Sequence, residues 1–301
     1  MRIFLSGAAS HLAQALLPKL CARAEIAAVV GIDLQAPNFA HLKFTHHIAD
    51  IRDSKIARLM RGCDALVHLA FVVLRGKMTA TTMHDINVQG TSQLFNAARQ
   101  AGMARLVHLS SAAVYGSGEN LSEAAALSPL PGFLYGQHKA QVEDWMAAEF
   151  PAAVRLRPHL ILGPHCQPLL LKLLRQPCYV ATPEPQPRLQ CVHEDDVADA
   201  IIASLLQPIS GAINLAAPGC FSFKQVITQS HSMSLPISFG AAKMALNLAW
   251  RLTGFGGEPA WLDGIQHSLT LDCSRATREL RWQPKFDAAA TLASTLKPRL
   301  L

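Results

Sequence analysis

Tyr135 and Lys139 form the first pair of residues in this sequence whose types and spacing could support chemistry. Side chains four residues apart lie on the same face of a helix, so the Lys139 ammonium is expected beside the Tyr135 phenol. A nearby cation stabilises phenolate and lowers the pKa of a tyrosine, which makes it a usable proton donor or acceptor near neutrality. Ser111, which stands 24 residues before Tyr135, is a candidate to hold a substrate oxygen by a hydrogen bond.

A second candidate site follows the first predicted strand, where residues 7–13 read Gly-Ala-Ala-Ser-His-Leu-Ala and lead into a helix. In a dinucleotide-binding fold this turn brings backbone N–H groups and a helix N-terminus against a pyrophosphate. The usual pattern is Gly-x-x-Gly-x-x-Gly, and this chain keeps Gly7 but has Ser10 and Ala13 in the other two places. Serine carries a steric cost if its position needs positive φ. Taken alone, the loop favours an ordinary strand-to-helix turn.

Asp33 ends the second predicted strand, 26 residues beyond Gly7. A carboxylate there can accept hydrogen bonds from the adenosine ribose and repels a 2'-phosphate, which predicts NAD as the cofactor. The alternative is that Asp33 is only a turn residue.

The elements that must position these residues alternate between short apolar strands and longer helical patterns. The predicted helix at 11–24 carries Leu12, Leu16 and Leu20 on one face. Strands are predicted at 2–6, 27–33, 45–50, 65–70, 105–110 and 153–158. Apolar strands separated by crossover helices predict an α/β fold with a doubly wound parallel sheet.

The alternating pattern ends after about Gly163, and residues 182–187 form a proline-rich stretch that we expect to be a loop. A helix at 195–206 and a strand at 212–216 are expected to return to the main sheet. We therefore predict a dinucleotide-binding domain of residues 1–162 plus 188–217 and a smaller C-terminal substrate-binding domain of residues 163–187 plus 218–301. The amphipathic segment 241–252 is either a helix packed on the smaller domain, which we favour, or a membrane-surface helix.

The composition argues against several other classes of protein. With 50% hydrophobic and 16% charged residues the chain can bury a large core. Its apolar runs are too short for a membrane span, and residues 1–7 are typical of a strand and turn rather than a signal peptide. The 27 lysines and arginines are dispersed, so we expect no nucleic-acid partner despite a net charge of +6. The seven cysteines are scattered without metal-binding spacing, which predicts free thiols and a cytoplasmic protein.

The motif His193-Glu-Asp-Asp196 could be mistaken for a metal site. Adjacent side chains cannot all converge on one ion, and Asp195 or Asp196 can cap the helix that follows. We expect capping and no metal.

Jointly, these motifs resemble the NAD-dependent epimerase/dehydratase family, the extended short-chain dehydrogenases. The resemblance runs from the Gly7 loop to the C-terminal region and includes Asp50-Ile-Arg-Asp53, Val67-His-Leu-Ala70, Asn87-Val-Gln-Gly-Thr91, Ser110-Ser-Ala-Ala-Val-Tyr-Gly116, Tyr135-x-x-x-Lys139, Arg157-Pro-His-Leu-Ile-Leu-Gly-Pro164, His193-Glu-Asp-Asp196 and Asp272-Cys-Ser-Arg-Ala-Thr-Arg-Glu-Leu-Arg-Trp-Gln-Pro284. It implies a Rossmann fold in which Tyr135 is the acid/base, Lys139 also binds the nicotinamide ribose, and Ser111 polarises the substrate. It further implies that His11 and Leu12 contact the pyrophosphate, Asp50 and Ile51 the adenine, and Leu69, Ala70 and Asn87 the remaining cofactor, beside Gly7, Ser10 and Asp33.

The predicted function is hydride transfer at a hydroxyl- or carbonyl-bearing carbon of a small molecule, by an NAD-dependent oxidoreductase, epimerase or dehydratase. Nucleotide-sugar members of the family usually carry Asn where this chain has Leu160, which favours a smaller or more apolar substrate. The alternative is an NAD-sensing binding protein of the same fold without turnover. A homodimer is an expectation from the resemblance only.

Overall fold

A parallel sheet of seven strands forms the centre of the protein in a computed structural model that describes residues 1–256 and 259–297. The strands are β1 Arg2–Ser6, β2 Ala28–Asp33, β3 Phe44–Ile48, β4 Ala65–His68, β5 Arg105–Leu109, β6 Gly118–Leu121, β7 Val154–Pro158, β8 Leu160–Leu162, β9 Cys178–Val180, β10 Cys191–His193, β11 Gly211–Leu215, β12 Leu235–Ile237 and β13 Leu269–Leu271. The order across the central sheet is β11-β7-β5-β4-β1-β2-β3, and its neighbouring strands are parallel. The predicted α/β fold is confirmed, and the six predicted strands of the first half form with ends within two residues of the expected bounds.

Helices cover both faces of this sheet, as the crossover connections of a parallel sheet require. The α-helices are α1 His11–Ala22, α2 Ile56–Leu59, α3 Ala80–His84, α4 Thr91–Gln100, α5 Leu134–Glu149, α6 Pro168–Arg175, α7 Glu194–Leu206, α8 Phe223–Ser230, α9 Phe239–Thr253, α10 Ser274–Glu279 and α11 Ala288–Leu296. A π-helix at Asp85–Gly90 continues directly into α4, and 3-10 helices lie at Ala112–Tyr115 and Pro259–Gln266.

Two hydrophobic layers hold the helices to the sheet, and β1 contributes to both. Ile3 and Leu5 point into the layer that contains α1 and α7, whereas Phe4 points into the layer that contains α4 and α5. In α1, Leu16 and Leu20 are fully buried, which confirms the predicted apolar face. Each such leucine contributes about 2 kcal/mol of burial free energy. Strand β1 is therefore held between packed helices on both faces of the sheet.

Smaller elements extend the structure beyond the central sheet. Three two-stranded parallel ladders pair β8 with β10, β9 with β12, and β6 with β13. Residues 182–187 form a loop without regular secondary structure, as expected from their prolines. As predicted, α7 and β11 return to the central sheet. Helix α7 packs against β5, β7 and α1, and β11 is an edge strand of the sheet. The division of the chain into two domains stays a prediction.

Helix α9, which contains the amphipathic segment 241–252, packs by one face only. Trp250 donates from Nε1 to the carbonyl of Gly76 at 2.7 Å. On the opposite face, Met244, Leu248 and Leu252 are 72%, 59% and 67% exposed. Throughout residues 1–256 and 259–297, none of the helices combines the length and the apolar character needed to cross a bilayer.

Candidate active site

The carboxyl ends of β1 and β4 lie at the point where the strand order reverses, with β2 and β3 on one side and β5, β7 and β11 on the other. Crevices at such switch points are where doubly wound sheets bind nucleotides. Gly7 opens the turn after β1 with φ +80°, and a Cβ at this position would lie 2.6 Å from the backbone nitrogen of Ala70. Glycine is required here because the turn packs directly on the backbone that follows β4.

Ser10 is the N-cap of α1, with φ −65° and ψ 160°, and its Oγ accepts a hydrogen bond from the Ala13 N–H at 3.3 Å. Because φ is negative, serine is unstrained and the steric cost considered from the sequence does not arise. His11 and Leu12 follow in the first turn. The N–H groups and the dipole of this helix end suit a pyrophosphate, so the altered glycine loop still fits a dinucleotide.

Asp33 lies half-buried at the end of β2, beside the turn that follows β1. Its Oδ2 accepts from the Ala9 N–H at 2.9 Å, and its Oδ1 accepts from the Leu34 N–H at 2.7 Å. Oδ1 also accepts from the Gln35 N–H at 3.4 Å, whereas Oδ2 keeps a second lone pair for a ribose hydroxyl. The charge at this place suits NAD and opposes a 2'-phosphate.

Ser111, Tyr135 and Lys139 line one cavity of about 500 Å³, together with Ser10, His11, Leu12 and Leu69. Ser111 follows β5 as the N-cap of the 3-10 helix, and its Oγ accepts from the Ala113 N–H at 3.2 Å. Tyr135 lies in the first turn of α5, beside the Ser111 side chain. The predicted serine and tyrosine therefore meet in a cavity that also reaches the N-terminus of α1.

The electrostatic effect on Tyr135 differs from the one expected from the sequence. Burial raises the pKa of its phenol above the ordinary value, and the hydrogen bond with Ser111 opposes this shift. The expected lowering by the Lys139 ammonium is not among the causes of this shift, and the Nζ of Lys139 lies 5.9 Å from the centre of the Tyr135 ring. In this arrangement the phenol is held in its protonated form at neutral pH.

Lys139 is instead engaged by the loop after β4 and by β5. Its Nζ lies 3.6 Å from the centre of the Phe71 ring and donates to the carbonyl of Leu109. Burial lowers the pKa of Lys139 well below its ordinary value, and the carboxylate of Glu143 opposes this shift. Phe71 also packs edge-on against Tyr135, with ring centres 5.7 Å apart. Sequence reasoning did not single out Phe71, since its two contacts arise between distant segments.

A buried ion pair fixes the helix that carries Tyr135 and Lys139. Glu143 lies one turn beyond Lys139 on α5 and receives hydrogen bonds from Arg157 Nε at 2.8 Å and from Arg157 Nη2 at 2.5 Å. The Ser110 hydroxyl donates to the same carboxylate at 2.5 Å. This network ties α5 to β5 and β7, so the positions of Ser111 and Lys139 are set by the same rigid contact.

Asn87 holds the loop after β4 through both ends of its amide. Its Nδ2 donates to the Val72 carbonyl at 2.9 Å, and its Oδ1 accepts from the Val72 N–H at 2.7 Å. This contact fixes the backbone next to Phe71. The cofactor contact that the resemblance implies for Asn87 stays a prediction.

Six of the predicted cofactor-binding residues are not among the described residues that line the cavity. They are Gly7, Asp33, Asp50, Ile51, Ala70 and Asn87. Asp50 pairs with Arg52 at 2.8 Å, and this pairing lowers the pKa of the carboxyl. Ile51 is buried against Gly90. Their expected contact with adenine stays a prediction.

The remainder of the cavity wall is mostly apolar. Its aliphatic and aromatic members are Val73, Leu74, Leu109, Leu130, Phe133, Leu160, Ile161, Leu169, Leu170, Leu173, Leu189, Phe223, Trp261, Ile265 and Leu269. His159 in this wall is buried, and burial lowers its pKa to about 4. Its Nδ1 accepts from the Leu160 N–H at 2.8 Å, and its Nε2 bonds to the Leu269 carbonyl at 2.9 Å. A neutral imidazole with both nitrogens engaged is a structural residue.

A second histidine in the wall, His165, is paired with a carboxylate. Its Nδ1 lies 2.6 Å from Oε1 of Glu194, and its backbone N–H donates to Oε2 of the same residue at 3.0 Å. Glu194 is buried, whereas the His165 side chain is 34% exposed. The sequence analysis placed Glu194 in a capping motif and did not consider His165.

That capping prediction named the wrong residue. The side chain of His193 caps α7, with its Nδ1 accepting from the Asp195 N–H at 3.1 Å. Asp196 instead accepts from the backbone N–H groups of Lys285 and Phe286 at 2.9 and 3.3 Å, which ties the C-terminal segment to α7. Among residues 1–256 and 259–297, no cluster of three or more histidine, cysteine or acidic side chains could hold a metal ion.

Comparison with known proteins supports the architecture described above. Residues 3–216 match the NAD dependent epimerase/dehydratase family. Two solved structures, a UDP-glucuronic acid 4-epimerase from Bacillus cereus in complex with NAD and the dTDP-glucose 4,6-dehydratase DesIV from Streptomyces venezuelae with NAD and TYD bound, superimpose with TM-scores of 0.74 and 0.75. They are 21% and 23% identical to this chain, cover 98% of it, and are covered over 97% and 96% of their own lengths. At this level of identity the likeness establishes the fold.

The curated relatives match this chain over only part of their own length or over only part of this chain. An uncharacterised protein of Mycobacterium tuberculosis is 28% identical over 97% of this chain, but the chain spans only 29% of that protein's length. A 4-hydroxy-2-methyl-3-oxo-4-farnesyl-3,4-dihydroquinoline-1-oxide ketoreductase of Stigmatella aurantiaca is 31% identical over 54% of this chain and 51% of its own. The sterol demethylase protein B of Methylococcus capsulatus is 31% identical over 54% of this chain and 52% of its own.

The family match extends from β1 to the end of the sheet and includes every strand and loop from which the cavity's nucleotide end is built. Since it covers residues 3–216 of 301, this chain belongs to the NAD dependent epimerase/dehydratase family, and NAD is the cofactor that its membership gives it.

Proposed function

We propose that this protein is an NAD-dependent oxidoreductase that acts on a hydroxyl- or carbonyl-bearing carbon of an apolar small molecule, with Ser111, Tyr135 and Lys139 as its catalytic residues. One observation carries the proposal: these three side chains line the same cavity as Ser10 and His11 at the N-terminus of α1. A proton donor and a place for a dinucleotide therefore share one space.

The residues that would hold NAD are those around the switch point. The first-turn N–H groups of α1 would hold the pyrophosphate, and the Asp33 carboxylate would accept from the adenosine ribose. Lys139 supplies a donor for the second ribose, as the family resemblance implies. When bound, the nicotinamide supplies or accepts the hydride.

Tyr135 is the proposed proton donor in this reaction. The hydroxyl of Tyr135 is protonated at neutral pH because burial raises its pKa, so it is ready to donate to the oxygen of a carbonyl substrate. The Ser111 hydroxyl lies beside Tyr135 in the same cavity and would hold that same oxygen. A protonated phenol is the form that acts as general acid in the reduction of a carbonyl.

The cavity wall supports an apolar substrate. Among the described lining residues, Lys139 is the one lysine or arginine, and it lies at the catalytic end, so a diphosphate in the substrate region would meet little positive charge. Leu160 stands where nucleotide-sugar members usually have Asn. The two relatives with named substrates add support, since one is a ketoreductase of a farnesylated molecule and the other is a sterol demethylase protein.

Steady-state NADH oxidation tests this proposal. We expect turnover with NADH and at least one ketone in a panel of cyclic, isoprenoid and steroid ketones, and no turnover with UDP-glucose or UDP-glucuronic acid under oxidising conditions with NAD. Turnover of a UDP-sugar alone would contradict the apolar assignment. Failure to bind NADH in a fluorescence titration would contradict the cofactor assignment.

A second candidate function is an NAD-sensing binding protein of the same fold. The contact of Lys139 with Phe71 favours it, because the lysine is engaged elsewhere than at the phenol. Tight NADH binding without turnover across the whole ketone panel would select this alternative.

A further inference from the structure

The pair formed by His165 and Glu194 lines the substrate cavity and has no part in the mechanism proposed above. The two residues are 29 positions apart in the sequence and come together because β8 and β10 are hydrogen-bonded neighbours. His165 lies just beyond β8, and Glu194 is the first residue of α7, directly after β10. Their meeting is therefore set by the sheet rather than by a flexible surface.

The pair is built into the wall. A Cβ at Gly163 would lie 2.6 Å from the carboxyl carbon of Glu194, so the carboxylate is packed directly on a glycine backbone. The carboxylate accepts from both the ring and the backbone N–H of His165. Glu194 is 3% exposed, and burial raises the pKa of its carboxyl while the His165 hydrogen bond opposes the shift. A buried carboxylate of this kind is retained in a fixed position by its hydrogen-bond partners.

The orientation of the imidazole follows from this contact. Because Nδ1 faces the carboxylate, Nε2 is the ring nitrogen that remains for a ligand, and it accepts a hydrogen bond in the tautomer that carries its hydrogen on Nδ1. The side chain is 34% exposed and is part of the cavity wall, among Leu160, Leu169 and Leu170. A polar acceptor of fixed direction in an apolar wall selects for a ligand with one hydrogen-bond donor on an apolar body.

We propose that His165, oriented by Glu194, is a second substrate-binding residue that accepts a hydrogen bond from a hydroxyl group of the apolar substrate, distinct from the oxygen held by Ser111 and Tyr135. Glu194 acts as a positioning residue through His165. This inference rests on the proposed function, since it concerns the substrate of the same cavity.

The test uses matched pairs of apolar ketones in which the two members differ by one hydroxyl group remote from the carbonyl. The tetracyclic pair is 5α-androstan-3-one and 17β-hydroxy-5α-androstan-3-one, and monocyclic, bicyclic and tricyclic pairs of the same design vary the separation of the two oxygens. KM and kcat for NADH-dependent reduction are measured for wild type, His165→Phe, Glu194→Gln and Glu194→Leu. His267→Phe is the matched control, because His267 is exposed and lies outside the described cavity wall.

In wild type we expect at least one hydroxylated ketone to have a KM about three- to tenfold below that of its partner, the size of effect that one hydrogen bond gives. His165→Phe and Glu194→Leu should abolish that preference, so that the two members of each pair have KM values within about twofold of each other. Glu194→Gln should retain most of the preference, because its amide oxygen still accepts from Nδ1. The His267→Phe control should behave as wild type.

Turnover of the ketones without a hydroxyl preference in any pair would overturn this inference and leave the proposed function intact. A preference that survives in His165→Phe would overturn it as well. A weaker affinity of His165→Phe for NADH, with the hydroxyl preference unchanged, would place the pair at the cofactor instead. Absence of turnover with every ketone in wild type would contradict the proposed function itself.

Discussion

Replacing Phe71 with leucine tests whether Lys139 is held away from the dinucleotide in the ligand-free protein. The Nζ of Lys139 lies 3.6 Å from the centre of the Phe71 ring, and contacts between a cation and an aromatic ring contribute about 0.5 to 2 kcal/mol. Burial lowers the pKa of Lys139, and loss of the proton weakens the contact, so we take about 0.5 to 1 kcal/mol as its contribution. Leucine keeps an apolar side chain at the site but removes the negative face of the ring.

If NAD draws Lys139 to its nicotinamide ribose, the contact with Phe71 competes with cofactor binding. Its loss should then lower the Kd for NADH by roughly two- to fivefold, which is the factor that about 0.5 to 1 kcal/mol gives. The assay is a fluorescence titration of NADH into wild type and Phe71→Leu. Phe133→Leu is the matched control, because Phe133 also packs on Tyr135, with ring centres 5.6 Å apart, and reports the loss of an aromatic contact alone. An unchanged or higher Kd in Phe71→Leu would refute the reasoning.

Three further predictions concern the cofactor preference, the core and the pH dependence of stability. Asp33→Asn keeps an acceptor for the Ala9 N–H but removes the charge, so the ratio of Kd for NADPH to Kd for NADH should fall by roughly tenfold; a constant ratio in parallel titrations would show that Asp33 does not select the cofactor. Leu16→Ala should lower the free energy of unfolding in urea by about 2 to 5 kcal/mol, since Leu16 is fully buried under the sheet, and a loss below about 1 kcal/mol would mean that the layer repacks. His159 has a pKa of about 4 in the folded protein, against an ordinary value of 6.5. Between these two pH values the imidazole is protonated in the unfolded chain but neutral in the folded protein, so the free energy of unfolding falls as the pH drops from 6.5 to 4. Between pH 6 and pH 5, the free energy of unfolding of His159→Gln should therefore fall by about 1 kcal/mol less than that of wild type. If urea titrations at the two pH values give the same fall for both proteins, the His159 imidazole is not held neutral by burial.

The central sheet was predictable because its strands are short apolar runs with both faces buried, a pattern that few other structures produce. The strand Arg2–Ser6 is recovered with its exact bounds, and Ala65–His68 ends two residues before the predicted strand. The difference arises where residues after the strand pack on Gly7, which continues the buried sequence pattern without continuing the ladder. Within the strand, the buried residues are also those that pair with neighbouring strands. Beyond the end of the strand, the chain stays buried but the pairing stops.

The local conformation of the nucleotide turn could not be derived from its residue types. The sequence shows a serine where glycine is usual, and only the backbone reveals that Ser10 has φ −65° and serves as an N-cap. Serine is a favoured N-cap, so the same residue that weakens the glycine pattern strengthens the start of α1. The glycine pattern alone misjudges Ser10, because it takes no account of the N-cap role that serine has in this turn.

Electrostatic details of the site depend on contacts between distant segments. The spacing of Tyr135 and Lys139 places them on one helix, but Phe71, from the loop after β4, determines where the lysine points. In the same way, Asp196 has the residue type of a cap but is used to bind the backbone of Lys285. A sequence pattern predicts which side chains share a region, whereas the partner chosen by each polar group follows from the whole fold.

The role of Tyr135 as proton donor is tested most directly by the rate of NADH oxidation by Tyr135→Phe, compared with wild type on a ketone that wild type reduces. We expect kcat to fall by about 10² to 10⁴, because the general acid is gone. The Kd for NADH should stay within about threefold, less than the contribution of one hydrogen bond. A kcat close to that of wild type, with NADH still bound, would show that the proton comes from another group and would contradict the central claim.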